Sequence, residues 1–340
     1  MSVVVVGAGI VGSSVAYHLA RRGVSVTLLD RGPGPATGVT GGSFAWIGDR
    51  GGDWPGGARD LRGSVRADYR RLESEVPGVA VRRCGSLDLA ADAEPGEGRF
   101  RVGRDEIRAL EPELRSPPEW AVHTPSDAGV DAVAVTAALV RAARALGARV
   151  VFGADVTSLE AEGGRVRGVA SSVGFHAGST VVLAAGTEVV RLAEPLGIRL
   201  PVRTSPACLI RLAAPPGLVR TIVAAPDFEV REVSDGQLLM TVSLTGDTTS
   251  PLRLLRASFR RADSCRVLER RVGGRPVPAD GPLIGPVTPD GSVYAAVTHS
   301  AVTLAPTVGR LVASELATGA PAAELRRCRP RGLSPGSGGR

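Results

Sequence analysis

The chain contains no lysine and no asparagine. All 41 of its basic residues are therefore arginine, set against 34 acidic ones for a formal charge of +7. The arginines are scattered along the whole length. That pattern fits coding bias in a GC-rich genome better than a basic surface selected for nucleic acid. Histidine and cysteine occur only four times each. Cys84, Cys208, Cys265 and Cys328 lie far apart, without a C-x-x-C pair or a nearby histidine pairing, so no metal site is expected. Such thiols suit a reducing compartment, and the expected location is cytoplasmic. A long uninterrupted apolar run is also missing. The apolar N-terminus lacks a basic leader and is broken by glycines, so neither an export signal nor a membrane span is expected. Aromatic residues make up only 4%, which gives weight to any that falls near a site.

What is present is a folded chain of 340 residues with 43% hydrophobic content, enough for one large domain or two. Four β-branched valines at residues 3–6 predict a short buried parallel strand. Gly7, Gly9 and Gly12 follow, and then Val11, Val15 and Leu19 fall on one helical face. Arg21, Arg22 and Gly23 close that helix, and residues 25–29 read as a second strand ending at Asp30. In a β-turn-α-β unit of this kind, Gly7 permits the tight turn and Gly9 the approach of a pyrophosphate. Gly12 allows close helix–strand packing, and the helix start offers N–H groups to phosphate. Asp30, 18 residues after Gly12, is placed to accept from a ribose 2′-OH. The acid favours NAD or FAD over NADP, and the fingerprint leaves those two open.

Beyond Asp30 a glycine-rich loop carries a G-G-S turn and an apolar patch, Phe44, Ala45, Trp46 and Ile47. Helices are predicted over 59–76 and from an Asp131 N-cap to Gly147, with strands at 84–90 and R-V-V-F. A hairpin turns at Gly163 and Gly164, and S-T-V-V-L-A-A-G reads as a further buried strand. The 93–101 stretch reads as an exposed loop. Alternating runs at 204–212 and 227–244, the latter with an S-D-G turn, suit an antiparallel sheet. Near the C-terminus, residues 293–297 form a strand, 298–301 a turn, and a helix is expected beyond Pro306. The arginine-dense 253–275 segment reads first as a solvated helix face.

With these motifs placed, the sequence resembles the FAD-dependent D-amino-acid oxidase, glycine oxidase and sarcosine oxidase family over roughly residues 2–320. The likeness rests on V-G-A-G-I-V-G-S-S-V-A-Y-H-L-A-R-R-G…D, the G-G-S, the block ending V-V-L-A-A-G, and D-G-P-L-I-G-P…V-T-H-S-A-V-T-L-A-P. The resemblance implies an α/β fold. It comprises a Rossmann-like FAD domain from discontinuous segments (1–76, 130–195 and 272–328) and a smaller α+β substrate domain (77–129 and 196–271). Residues 329–340 are expected to form a disordered tail. By the same resemblance Gly7, Gly9, Ile10, Val11, Gly12 and Asp30 hold the pyrophosphate and adenosine ribose, with Arg31 beside the adenosine. Gly42 and Ser43 lie at the ribityl-pyrophosphate, Val156 at the adenine, and Ala185 and Gly186 under the cofactor. The turn His299, Ser300, Ala301, Val302, Thr303 and Leu304 faces the flavin with backbone donors. The tethering cysteine of some relatives would fall near Arg275, so FAD is expected to be non-covalent.

The implied chemistry is removal of a hydride from a C–H beside an amine, giving an imine, with electrons passed to O2 or another acceptor. A small amine or amino acid is the expected partner, and little acid–base machinery is needed. Arg231 is the first candidate carboxylate anchor, followed by Arg203 and Arg275. Trp46 is a candidate pocket wall, His299 a cofactor-turn residue, and Thr303 stands where sarcosine oxidases carry lysine. Three other readings stay open: oxidation of a 2-hydroxy acid, docking of an acidic carrier domain or tRNA through the 253–275 arginines, and a flavin-binding protein without activity.

Overall fold

The computed structural model describes residues 1–48, 55–90, 92–242 and 250–330. Most of the expected tail (331–340) and the end of the alternating run at 227–244 (243–244) lie outside those residues.

One sheet has six strands, ordered Leu283–Pro286, Val293–Val297, Thr180–Leu183, Ser2–Val6, Ser25–Asp30 and Arg149–Phe152. All neighbours run parallel except the Leu283–Pro286 edge. The valine run is buried because both faces of the sheet are covered. Val3 and Val5 join the core that holds the Ile10–Arg21 and Ala301–Thr318 helices, while Val4 and Val6 join the opposite one. The Ala132–Ala145 helix starts as predicted, with the Asp131 carboxylate accepting from the Val133 and Ala134 N–H groups.

A second sheet has eight strands, ordered Arg266–Pro278, Val202–Ala213, Gln237–Val242, Phe228–Ser234, Ile222–Ala224, Ser86–Asp88, Trp120–Thr124 and Phe100–Gly103. It is antiparallel apart from the Ile222–Ala224 and Ser86–Asp88 pair. The expected division at residue 272 falls inside its Arg266–Pro278 edge strand. The fold class is the one the resemblance implies.

Four details differ from the sequence reading. The loop expected at 93–101 turns between Gly96 and Arg99 and continues into the edge strand Phe100–Gly103. Only Val102 of that strand is buried, too weak an alternation to read from sequence. The 253–275 arginines are not one helix face. Pro251–Ser258 is helical, and Arg266 to Arg275 lie on the edge strand, where sheet pairing overrides the helical spacing. Arg329, expected in the tail, donates from Nη1 to Glu315 at 2.9 Å and so ends ordered. Finally, the late helix begins at Ala301, five residues before Pro306. Pro306 has no N–H for the Val302 carbonyl four residues earlier. Tyr69, on the Ala58–Glu75 helix, supplies the missing donor: its hydroxyl lies 2.5 Å from the Val302 oxygen.

Candidate active site

Two lobes of one cleft run between the sheets. The first is lined by the glycine turn, Asp30, Arg31, Val156, Ala185 and Gly186; the second, of about 870 Å³, faces the antiparallel sheet. Ile10, Val39, Thr40, Pro276, Thr298 and Ala301 line both lobes, so they meet where two helices begin.

The first lobe is built from backbone. Gly7 has φ +105° and donates to the Leu29 carbonyl at 2.8 Å, which fixes the turn between the two strands. A Cβ on Gly12 would lie 1.9 Å from the Gly7 oxygen, so its role is packing and it does not line the cleft. Asp30 ties the turn from the other side. Its Oδ2 accepts from the Ala8 N–H at 2.6 Å and its Oδ1 from Gly32 at 2.7 Å. Each carboxylate oxygen retains acceptor capacity for a sugar hydroxyl. Thr40 Oγ1 takes the Ile10 N–H at 3.1 Å, and Gly9 at the N-cap has no side chain to take the other first-turn donors. Arg31 and Glu188 pair at 3.5 Å across the lobe, and Arg191 joins Glu188 at 3.0 Å.

The second lobe begins at the Ala301–Thr318 helix. Ser300, with φ +54°, turns the chain into it, and no side-chain cap covers its N-terminus. His299, Ser300, Ala301, Val302 and Thr303 line the lobe; Leu304 is fully buried in the core instead. Opposite stands the turn Gly42, Ser43, Phe44, Ala45 and Trp46. Ala45 has φ +56° and its N–H donates to Ser43 Oγ at 3.1 Å. Among the described residues the non-glycine positions with positive φ are Ala36, Ala45 and Ser300, and the last two line the sheet-side lobe. Strain of this kind persists where surrounding contacts over-determine it.

Trp46 is held at both ends. Its carbonyl accepts from Thr303 Oγ1 at 2.9 Å, and its indole Nε1 donates to Asp127 Oδ2 at 2.9 Å. Asp127 also accepts from Ser86 Oγ at 2.7 Å. Burial pushes the Asp127 pKa up, against the hydrogen bonds that lower it. Sequence reasoning missed Asp127, since the residues it joins lie 41 and 81 positions away.

The three candidate arginines separate clearly. Arg231 does not line the cleft. It is 1% exposed, its Nε donates to the Phe44 carbonyl at 2.8 Å, and its Nη2 to Val130 at 2.6 Å. Gly129 makes the room: a Cβ there would meet Arg231 Nη1 at 2.6 Å. Burial lowers the Arg231 pKa to about 10. Arg203 is exposed on the Val202–Ala213 strand, away from the lobe. Arg275 lines the lobe, its Nη2 3.2 Å from Ser205 Oγ. Partial burial, and then the Arg275 charge, hold the His299 pKa below its usual value.

These features fit a flavin dinucleotide. The cleft is continuous and elongated, the glycine turn leaves space at the first helix start, and a second uncapped helix start lies further along. Comparison with known proteins agrees. The model of the FAD dependent oxidoreductase family matches residues 2–315. An uncharacterized oxidoreductase of Bacillus subtilis strain 168 is 29% identical, over 91% of this chain and 92% of its own. Glycine oxidase of Bacillus licheniformis is 28% identical, over 91% of each. Among solved structures, iminodiacetate oxidase of Chelativorans superposes with a TM-score of 0.79 at 25% identity, covering 96% of this chain and 98% of that one. The chain belongs to the FAD-dependent oxidoreductase family and is an oxidoreductase. Among the described residues, no helix is long and apolar enough to cross a membrane.

Proposed function

We propose that this protein oxidises the C–N bond of a small amino acid or N-substituted amino acid. The observation that carries this reading is Arg275, the one arginine among the described residues lining the sheet-side lobe, standing beside the His299 turn. A planar guanidinium there suits a carboxylate, and His299, kept neutral at ordinary pH, adds no competing charge. Relatives named for glycine and iminodiacetate oxidation support the substrate class.

Non-covalent FAD, held along both lobes, would supply the hydride acceptor, with O2 or another acceptor as the final oxidant. The chain's own contribution is position. Arg275 fixes one end of the substrate, and Phe44 and Trp46 wall the lobe. They sit edge to face with ring centres 6.3 Å apart. The free N–H groups of Ala301, Val302 and Thr303 offer donors toward the flavin ring system. No acid–base residue is required beyond what keeps the substrate amine neutral.

A visible spectrum before and after acid precipitation tests the cofactor: flavin bands should move to the supernatant. Anaerobic bleaching by amino acids, with release of ammonia or an amine, tests the reaction. Bleaching by 2-hydroxy acids alone, without nitrogen release, would overturn it.

A further inference from the structure

The aromatic wall of the sheet-side lobe, Phe44 and Trp46, is held from behind by two buried charged residues that line neither lobe. Arg231 lies beneath Phe44. Its Nε donates to the Phe44 carbonyl and its Cζ is 5.4 Å from the ring centre. Asp127, fully buried, takes the Trp46 indole N–H at 2.9 Å and the Ser86 hydroxyl at 2.7 Å, both on Oδ2. The strand Ala128–Val130 runs between these anchors: Asp127 precedes it, Gly129 pairs with Trp46, and Val130 accepts the second Arg231 donor.

Strand pairing of Trp46 with Gly129 and Ile47 with Ala128 fixes the backbone, but leaves the indole its own side-chain torsions. The Asp127 carboxylate removes that freedom. Its seat is built for the contact, because a Cβ on Gly48 would collide with Asp127 Oδ1 and with Trp46 Nε1. On the other side the Trp46 carbonyl takes Thr303 Oγ1, in the first turn of the Ala301–Thr318 helix. The indole is thereby fixed relative to the helix start that borders the same lobe.

An indole that served only as packing would be satisfied by any neutral acceptor, and a buried carboxylate is costly to keep. A wall that can swing accepts wide and narrow ligands alike, whereas a wall locked in one rotamer discriminates between them. Resting on the amino-acid reading above, we infer that Asp127 is a positioning residue. It holds the plane of the Trp46 ring and so makes the lobe selective for the size of the substituent on the substrate's α-carbon.

The test uses the FAD-loaded full chain and two readouts. Calorimetry with acetate, propionate, isobutyrate and pivalate measures how steeply affinity depends on branching beside the carboxylate, with no oxidation required. Anaerobic bleaching by amino acids of increasing side-chain branching measures flavin reduction. Asp127→Ala should narrow the spread of affinities across the acid series about tenfold, the scale of one misfitted methylene. Trp46→Phe, which deletes the N–H from the other side, should narrow it as much, and the double variant no further. Asp127→Asn, which keeps an acceptor in place of Oδ2, should retain most of the spread. Ser86→Ala removes the second donor on Oδ2 without touching the lobe, and carries the test if Asp127→Ala does not fold. It should narrow the spread about threefold. No spread in the unaltered protein, or the same spread in Asp127→Ala or Ser86→Ala, overturns the assignment, whatever happens to unfolding stability. So does a further loss in the double variant, or an Asn variant no better than Ala. The two readings fail separately. A spread that depends on Asp127, without bleaching by any amino acid, keeps this inference and defeats amine oxidation. Bleaching with a spread independent of Asp127 does the reverse.

Discussion

The two lobes of the cleft are made of different materials. The nucleotide lobe is a backbone device: Gly7 at positive φ, Gly12 packed on the Gly7 carbonyl, and Asp30 tying two N–H groups together. The sheet-side lobe is a side-chain device, in which Arg275, Glu229 and Trp46 come from strands distant in the chain. Backbone geometry tolerates few residue types and is the same for every ligand carrying a pyrophosphate. Side chains on a sheet face can change one at a time, and there a family can vary its substrates.

Breaking the first device should have the largest effect. Gly12→Val places its Cβ 1.9 Å from the Gly7 backbone oxygen, so the backbone must shift. We expect the affinity for FAD, read from the flavin retained at increasing dilution, to fall about 5- to 160-fold, as overpacking of 1–3 kcal/mol implies. Retention of a full complement of flavin would show that the turn is adaptable.

The second lobe predicts a contrast between two arginines. Arg231→Met leaves the Phe44 and Val130 carbonyl oxygens without their donor, and should lower unfolding stability by about 2–4 kcal/mol in urea titrations. Arg275→Met removes an exposed side chain, so stability should hardly change. The apparent KM for a carboxylate substrate should instead rise about 100-fold. Reversed outcomes would return the anchor role to Arg231.

A smaller effect lies at the helix that serves both lobes. Tyr69→Phe should cost about 1–2 kcal/mol, because the buried Val302 oxygen loses the Tyr69 hydroxyl as its donor. Pro306→Ala restores an N–H four residues on, so in the Tyr69→Phe background it should recover much of that loss. Additive losses in the double variant would remove Tyr69 as the substitute donor.

The smallest expected effect, absent at neutral pH, concerns His18 under the nucleotide lobe. Burial, reinforced by Arg71, Arg21 and Arg310, lowers its pKa from 6.5 to about 3. The folded state therefore prefers neutral imidazole. That stability is complete above pH 6.5 and declines as pH falls toward 3, where protonation favours the unfolded chain. His18→Gln should flatten this part of the stability profile, measured by thermal melts across pH.

Much of the nucleotide half was legible from sequence. The valine run, the three glycines, the helix and Asp30 are contiguous, and each is dictated by local backbone requirements. The Asp131 cap and the Gly163 hairpin were legible for the same reason. The strand Phe228–Ser234 was legible as a strand, yet its chemistry was not. Glu229 and Arg231 share one face by alternation, and the sequence cannot say which of them reaches the cleft. The answer depends on Gly129, whose missing side chain gives the Arg231 guanidinium a buried seat. Likewise the start of the late helix was misplaced, because Pro306 reads as a helix start until Tyr69 is known to satisfy Val302.

By itself, then, the sequence determined a dinucleotide-binding turn, an α/β sheet around it and an antiparallel partner, all encoded within runs of neighbouring residues. The position of Arg275 on the cleft, the burial of Arg231 beneath it and the seating of Trp46 on Asp127 were decided only by tertiary structure. Each depends on which groups from distant segments compete for the same space and the same hydrogen bonds, and that competition exists only once the sheets have packed.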